Sequence, residues 1–519
     1  MALAPGPRTP APVAALPGRR RGVRGHSSKR MVASAGSEGG AVAGRVAVRP
    51  PAQVLPRAVG ATLARAGLLA GDLLALAGAL AVAVGLRMWV LPWLSPAFWR
   101  PTYALTHYLG LWWLPVVYVG ALWHAGLYTR RDPFWEEARR CATGATVAAV
   151  LVFALLALAK LGDDVSRPVV VMAWAVLLVA LPAVRWGAKV LLVRLGPWRQ
   201  RVLVVGDGAQ AAGLVEALAR APTLGYEVVG VVDDPQTAPE RAAALGARDV
   251  MIAAPNLERA TFLALVERLR RVAENVLVAP DLGEMPVLGV EVVGLFDDRT
   301  ILLRVPNNLL RPGNLAIKRA FDLVAGTVLA VGTLPVLAVA AVAVRLTSPG
   351  PAFHVEPRVG RGRRLFPCYK LRTMYVDADA RLAAFFRDNP GAAEEWERYW
   401  KLRGHDPRVT PVGRWLRRWG LDELPQLLNV LRGEMSLVGP RPYLPRELPL
   451  LAGDGMLDVR PGLTGLWQVS GKNALDYRQR VHLDRWYVNN WSLWLDVIIL
   501  AKTVPAVVHG EAQAASGVA

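Results

Sequence analysis

The chain is short of cysteine and short of acid. Of its 519 residues only Cys141 and Cys368 are cysteines. That excludes a disulfide framework and a cysteine-rich zinc site. Charged residues make up 20% against 53% hydrophobic. This is too apolar for a disordered chain and rather apolar for a soluble one. Asp and Glu number 41 against 61 Lys and Arg, a net charge of +20. In a chain this apolar, the excess reads as contact with anionic lipid headgroups, with nucleic-acid binding as the alternative. Residues 1–57 carry ten basic residues and one acid, Glu38, with no apolar run long enough for a signal-peptide core. They are expected to form a disordered basic tail.

What is present is long apolar sequence. Four runs, at about 66–86, 104–127, 141–161 and 168–186, approach the ~20 residues that cross a bilayer. Trp89, Trp93, Trp99, Tyr128, Trp135, Trp186 and Trp198 gather near their ends, as in an interfacial belt. A four-helix transmembrane bundle over 58–195 is predicted. The connection after the second run holds Arg130, Arg131, Arg139 and Arg140, and the stretch after the fourth holds Arg185, Lys189, Arg194, Arg199 and Arg201. The basic excess stays cytoplasmic, so everything after residue 190 is expected there.

A parallel α/β domain follows. Arg201–Val205 reads as a buried strand and runs into Gly206-Asp207-Gly208; a helix continues to about Arg220, and Tyr226–Val232 is the next strand. Further strand-like runs lie at 249–253, 275–279 and 291–293. The pattern suggests a Rossmann-like domain over 200–308. Its third fingerprint position is Ala211, and the fold alone implies no nucleotide.

A fifth apolar run, Leu323–Val344, has basic flanks on both sides: Lys318 and Arg319 before it, Arg345, Arg358 and Arg361 among those after it. A true crossing would put one basic flank outside. Pro335 sits at its middle, where proline removes a donor and kinks a helix. A re-entrant helix over about 318–346, broken at Pro335 and returning to the same side, satisfies both facts.

The remaining residues are dense in polar motifs: Tyr369–Met374, Asp406–Thr410 leading to Gly413–Arg417, Leu421–Gln426, Met435–Pro442 and Arg460–Gly465. Arginine forks match phosphate oxygens. Adjacent acids between basic stretches suit a nucleophile plus a metal ligand. Asp422 also reads as an N-cap, with Pro425 in the first turn and Gly433 as C-cap.

From about Leu315 to Val508 the chain resembles the bacterial polyprenyl-phosphate sugar-1-phosphate transferases, the monotopic phosphoglycosyl transferases that start exopolysaccharide and O-antigen synthesis. The likeness rests on Lys318-Arg319 with Asp322, Lys370–Met374, Asp422–Gln426, Ser436–Pro442 and Pro461–Gly465, in one order. The preceding bundle and α/β part resemble the long form of that family. The resemblance implies a mainly α catalytic domain over 314–519 on the cytoplasmic side of a bacterial inner membrane. It implies transfer of a hexose 1-phosphate, glucose or galactose, from a UDP-sugar to polyprenyl phosphate, with release of UMP. Asp422 would attack and carry the sugar phosphate, and Glu423 would hold Mg²⁺. Lys370, Arg417, Arg441 and Asp496 would bind substrate; a homodimer is a candidate assembly, and no nucleic-acid partner is implied. In the family the hairpin breaks at a Ser-Pro pair, whereas Leu334 precedes Pro335 here. Gly420 stands where Ser or Thr is common. A membrane-bound nucleotide-sugar dehydratase or epimerase would use Tyr-x-x-x-Lys, and none of the 11 tyrosines has Lys four residues later. An inactive assembly scaffold is opposed by the intact carboxylate pair.

Overall fold

Length and apolarity decide the first elements. The computed structural model describes residues 57–508 apart from 97–102, 161–164, 207, 255, 281–290, 296–299, 305–307, 390, 392–405, 452–454 and 472–474. The expected tail, except Arg57, and Trp99 and Asp207 lie outside the described residues. Among the described residues, Val59–Leu94, Phe134–Leu158, Arg167–Leu195 and Pro312–Thr347 are helices long and apolar enough to cross a membrane. The run expected at 104–127 is not among them. It forms two helices, Leu105–Gly110 and Trp113–His124, separated at Leu111 with φ −77 and ψ 84. Gly110, a poor helix former, immediately precedes the break.

The bundle packs around Leu68, Leu122, Val169 and Leu181, all fully buried. It also encloses charge. Arg185 and Lys189, taken from the sequence as part of the loop charge, are 0% and 1% exposed. Arg185 pairs with Asp72 at 2.7 Å and Glu137 at 2.9 Å, and Lys189 pairs with Glu137 at 2.8 Å. The Tyr128 hydroxyl donates to Asp72 at 2.6 Å. Ions buried this deeply are tolerable only when paired, so these residues lock three helices together rather than face headgroups.

Beyond the bundle, strands β1 (Gln200–Val205), β2 (Tyr226–Val232), β3 (Asp249–Ile252) and β4 (Asn275–Val278) form one parallel sheet in the order β2-β1-β3-β4. Helices Gly208–Arg220, Ala238–Leu245 and Arg259–Leu269 connect them. Val202–Val205 are fully buried, as strands covered on both faces require. Gly206, at φ +150, has a packing reason: a Cβ there would collide with the Ala253 carbonyl. The stretch expected at 291–293 belongs elsewhere. Strands β5 (Glu291–Leu295) and β6 (Thr300–Arg304) make a separate antiparallel hairpin.

The last part begins with one helix, Pro312–Thr347, that contains Pro335. The helix is continuous through the proline, so the expected interruption is absent. Its two halves nevertheless meet the same domain. Arg319 donates to the Val430 and Leu431 carbonyls at 2.7 and 2.9 Å, while Ala340 and Val344 pack with Leu371 and Leu416. Strands β7 (Phe353–Val359) and β8 (Leu365–Leu371) pair antiparallel, and β9 (Ser436–Val438) and β10 (Gly462–Thr464) pair parallel. Helices Pro411–Arg418, Leu427–Arg432, Tyr477–Asn489 and Leu493–Val508 surround them. In the last helix, Leu495 and Ile499 are core residues. Beside them the Trp494 indole donates to the Trp135 carbonyl at 3.0 Å, tying this part to the bundle.

Candidate active site

The chain is steered into the site by two left-handed glycines. Gly420, at φ +63 and ψ 15, precedes a 3₁₀ turn, Leu421–Gln426, and Gly433, at φ +83, ends the helix Leu427–Arg432. Such conformations carry a Cβ penalty that glycine avoids. Gly433 is thus the C-cap expected of it. Asp422 is not an N-cap: it lies inside the 3₁₀ turn, whose flanking position is Gly420.

Asp422 and Glu423 are both half-buried. Lys370 Nζ donates to Glu423 Oε1 at 3.2 Å. Arg417 Nε donates to Thr373 Oγ1 at 2.9 Å. Burial raises the Asp422 carboxyl above the ordinary range and the Glu423 charge adds to this, while Lys370 and Arg417 pull the other way. Burial lowers Arg417, with Asp422 and Asp406 opposing. Four of the expected residues therefore share one electrostatic cluster.

Backbone-directed side chains hold that cluster. Asn429, fully buried, donates to the Pro367 carbonyl at 2.7 Å and accepts from the Tyr369 amide at 3.2 Å. It thereby fixes the helix after the carboxylates against the strand that carries Lys370. Thr410 caps Pro411–Arg418 by accepting from Gly413 N at 2.9 Å. A Cβ on Gly413 would strike the Thr373 carbonyl, so the helix bearing Arg417 can close on Thr373 only with glycine there.

Arg441 stands in a second cluster. The β9–β10 pair brings Gly439, Gly462 and Gly465 so close that a Cβ on any of them meets backbone within 3 Å. That explains the glycines of both motifs. Asp484 Oδ2 accepts from Arg441 N at 3.0 Å and from the Tyr443 hydroxyl at 2.7 Å. Its Oδ1 is enclosed without a partner among the described residues, and burial pushes the carboxyl up to about 6. The Arg441 and Arg480 guanidiniums lie 5.7 and 5.4 Å from the Trp467 ring centroid.

Asp496 lies inside the fold. Its 0% exposure removes it from direct contact with substrate. It accepts from Lys318 at 2.7 Å, from the Tyr487 hydroxyl at 2.7 Å and from the Trp491 indole at 3.1 Å. Lys318, expected as a basic flank of the membrane hairpin, has its ammonium enclosed here and also donates to the Val438 carbonyl at 3.0 Å. Beside it, Asp322 accepts from Ser436 Oγ and Leu437 N at 3.0 and 3.1 Å. This buried group supports β9 from behind, three residues before Arg441. Arg319 caps the C-terminal carbonyls of Leu427–Arg432.

Sequence reasoning missed Asp484, Tyr487 and Arg480. A signal existed for two of them. Val481, Asp484 and Tyr487 recur at three-residue spacing on the inward stripe of Tyr477–Asn489, and an acid on such a stripe needs a partner. An apolar cavity of about 630 Å³ lies beside the cluster, lined by Pro335, Val336 and Val339 on one wall and Val412, Trp415 and Leu416 on the other. Among the described residues no three His, Cys, Asp or Glu gather for a metal. Asp422 and Glu423 do supply hard oxygens, and Mg²⁺ is commonly held by one or two carboxylates with substrate phosphates completing its shell.

Fold and site together define a membrane protein whose carboxylate and cation centre is built onto a helix of membrane-spanning length. The chain belongs to the bacterial sugar transferases, whose family matches residues 313–510; residues 125–279 match a CoA-binding domain family. It is 36% identical over 429 residues to the undecaprenyl-phosphate galactose phosphotransferase of Salmonella typhimurium, covering 79% of this chain and 88% of that protein. It is 47% identical over 200 residues to the exopolysaccharide production protein ExoY of Rhizobium meliloti, covering 38% and 88%. It is 34% identical over 337 residues to the UDP-glucose:undecaprenyl-phosphate glucose-1-phosphate transferase of Escherichia coli, covering 59% and 67%.

Proposed function

We propose that this protein transfers a hexose 1-phosphate, galactose or glucose, from a UDP-sugar to undecaprenyl phosphate, releasing UMP, as the first membrane step of polysaccharide synthesis. The observation that carries the mechanism is Asp422, half-buried beside Glu423, Lys370 and Arg417 and spent on no cap. An Asp422 oxygen attacks the β-phosphorus, the bond from that phosphorus to the bridging oxygen breaks, and UMP leaves with the electron pair. An oxygen of the lipid phosphate then attacks the aspartyl phosphate, forming the lipid diphosphate sugar and restoring the carboxylate. Splitting the transfer lets both substrates use one site in turn. Lys370 and Arg417 offset the repulsion between carboxylate and diphosphate, and Arg441 takes nucleotide phosphate oxygens. Glu423 and Asp422 would hold Mg²⁺, which supplies charge neutralisation on the diphosphate. The isoprenoid tail lies along the apolar cavity beside Pro335. Both ends of Pro312–Thr347 lie on one cytoplasmic face of the inner membrane, a return that a kink of the continuous helix at Pro335 would allow.

The test is UMP release from a panel of UDP-sugars with undecaprenyl phosphate and Mg²⁺. Chelation should stop turnover and added Mg²⁺ restore it. Asp422→Asn should lower the rate at least about a thousandfold in a folded protein. With no lipid acceptor, wild-type enzyme and labelled UDP-sugar should leave label on the peptide containing Asp422. Comparable turnover by Asp422→Asn would overturn the covalent step. Because burial raises its carboxyl, activity should fall as pH drops through a value above the ordinary aspartate range.

A further inference from the structure

A second cavity, of about 550 Å³, lies between the membrane bundle and the parallel sheet. That volume is in the range of small-molecule sites. Five arginines line it, Arg65, Arg131, Arg199, Arg201 and Arg248, against one carboxylate, Glu274. Arg248 Nε stands 4.0 Å from Glu274, Arg199 Nε donates to the Val193 carbonyl at 2.7 Å, and an Arg201 terminal nitrogen donates to the Leu245 carbonyl at 3.4 Å. Arg131 is wall rather than ligand. It donates to the Trp198 and Leu224 carbonyls at 2.8 Å each and lies 4.4 Å from the Trp198 ring centroid. Arg201 has an enclosed Nε without a partner among the described residues. Arg65 is exposed on the early turns of the first helix. Behind the wall, buried Asp249 accepts from Gln200 and Asn275; even so, five guanidiniums against one lining carboxylate leave a net positive concave site that draws an anion.

The position says which anion. The cavity lies at the amino-terminal edge of the sheet: Gln200 opens β1, Arg248 precedes β3 and Asn275 opens β4. Nucleotides in open α/β sheets bind at the opposite, carboxyl edge, so this is not that crevice. The membrane-side wall comes from the start of the first helix (Gly60–Arg65), the loop before Phe134 (Tyr128–Arg131) and the residues just after Leu195 (Gly196–Arg199). These are the ends of three membrane helices on one side of the bundle, the level at which lipid phosphates lie. Guanidinium forks bind phosphate bidentately, and anionic leaflets favour such basic pockets.

We propose that this cavity binds a phosphate-bearing anion at the membrane boundary, supplied by an acidic phospholipid headgroup, and that the bound phosphate ties the α/β domain to the bundle. The inference is independent of the transferase chemistry. It is tested on the full chain in detergent by native mass spectrometry and thermal unfolding, titrating phosphatidylglycerol, phosphatidylcholine or inorganic pyrophosphate. Phosphatidylglycerol should bind saturably and raise the unfolding temperature, and phosphatidylcholine should not. Arg65→Gln with Arg248→Gln should raise the half-saturating concentration about tenfold. The control Arg271→Gln, on an exposed residue paired with Glu267 away from the cavity, should leave it unchanged. If the double variant does not fold, Arg65→Gln alone carries the test, with a shift of about threefold. Saturable, arginine-dependent binding of pyrophosphate with none of phosphatidylglycerol would keep the phosphate site and assign it to a soluble ligand. Equal retention of both lipids, or binding indifferent to the arginine variants, overturns the proposal.

Discussion

Single residues in the transferase part act mostly through other residues. Lys318 and Asp496 are a buried pair at 2.7 Å. Lys318→Met should cost about 3–5 kcal/mol, because it leaves a carboxylate enclosed without its counter-ion. Adding Asp496→Leu should recover part of that loss, which unfolding of the single and double variants in detergent would measure. Asp484 gives a pH effect with a defined sign. Its carboxyl is raised from 3.8 to about 6 in the folded protein. Between those values the folded state keeps a proton that the unfolded chain has lost. The contribution of Asp484 is thus fully present below about pH 4 and lost as pH rises through about 6. Asp484→Asn should flatten that limb relative to wild type by up to about 1.4 kcal/mol per pH unit. An unchanged slope would mean that Asp484 titrates normally. That Asp422, Glu423, Lys370 and Arg417 share one cluster was legible from adjacency and motif. The support beneath it was not, since Asp484 and Asp496 meet their partners across 43 and 178 positions.

At the scale of elements, the long helix Pro312–Thr347 carries the main topological question. A straight helix of 36 residues would measure about 54 Å, well beyond a ~30 Å hydrocarbon core. Its N-terminal half caps Leu427–Arg432 through Arg319, and its C-terminal half packs on Leu416 in the neighbouring helix. Cysteines placed at Gly313 and Gly362 should therefore both react with an impermeant thiol reagent from the cytoplasmic side. Labelling from opposite sides would make this helix a true crossing. The basic flanks and Pro335 suggested the return, but only contacts from both halves to one domain give it a physical support. The second apolar run shows the converse. Its composition read as one span, yet the chain breaks at Leu111, because hydropathy counts apolar residues and does not register a local turn.

For the whole molecule, the parts divide by task. The R. meliloti relative lies 88% within a match of 200 residues, close to the length of the 313–510 family match, so a related protein is little longer than one part of this chain. A chain beginning near Arg311 should retain UMP release in detergent, though without the Trp494–Trp135 bond and with lower thermal stability. Complete loss in a folded, inserted chain would show that the bundle or the α/β domain supplies part of the site. By itself the sequence determined the membrane character, the parallel strands at β1 to β4 and the carboxylate turn. Each of these is written in local information: runs of apolar residues, strand period, or neighbouring motif letters. The tertiary structure decided which charges lie inside. Arg185, Lys189, Lys318 and Asp496 look like surface charge in a linear reading, and all four are buried in ion pairs. A charge is placed by the partner it meets, and these partners are brought together only when distant helices pack.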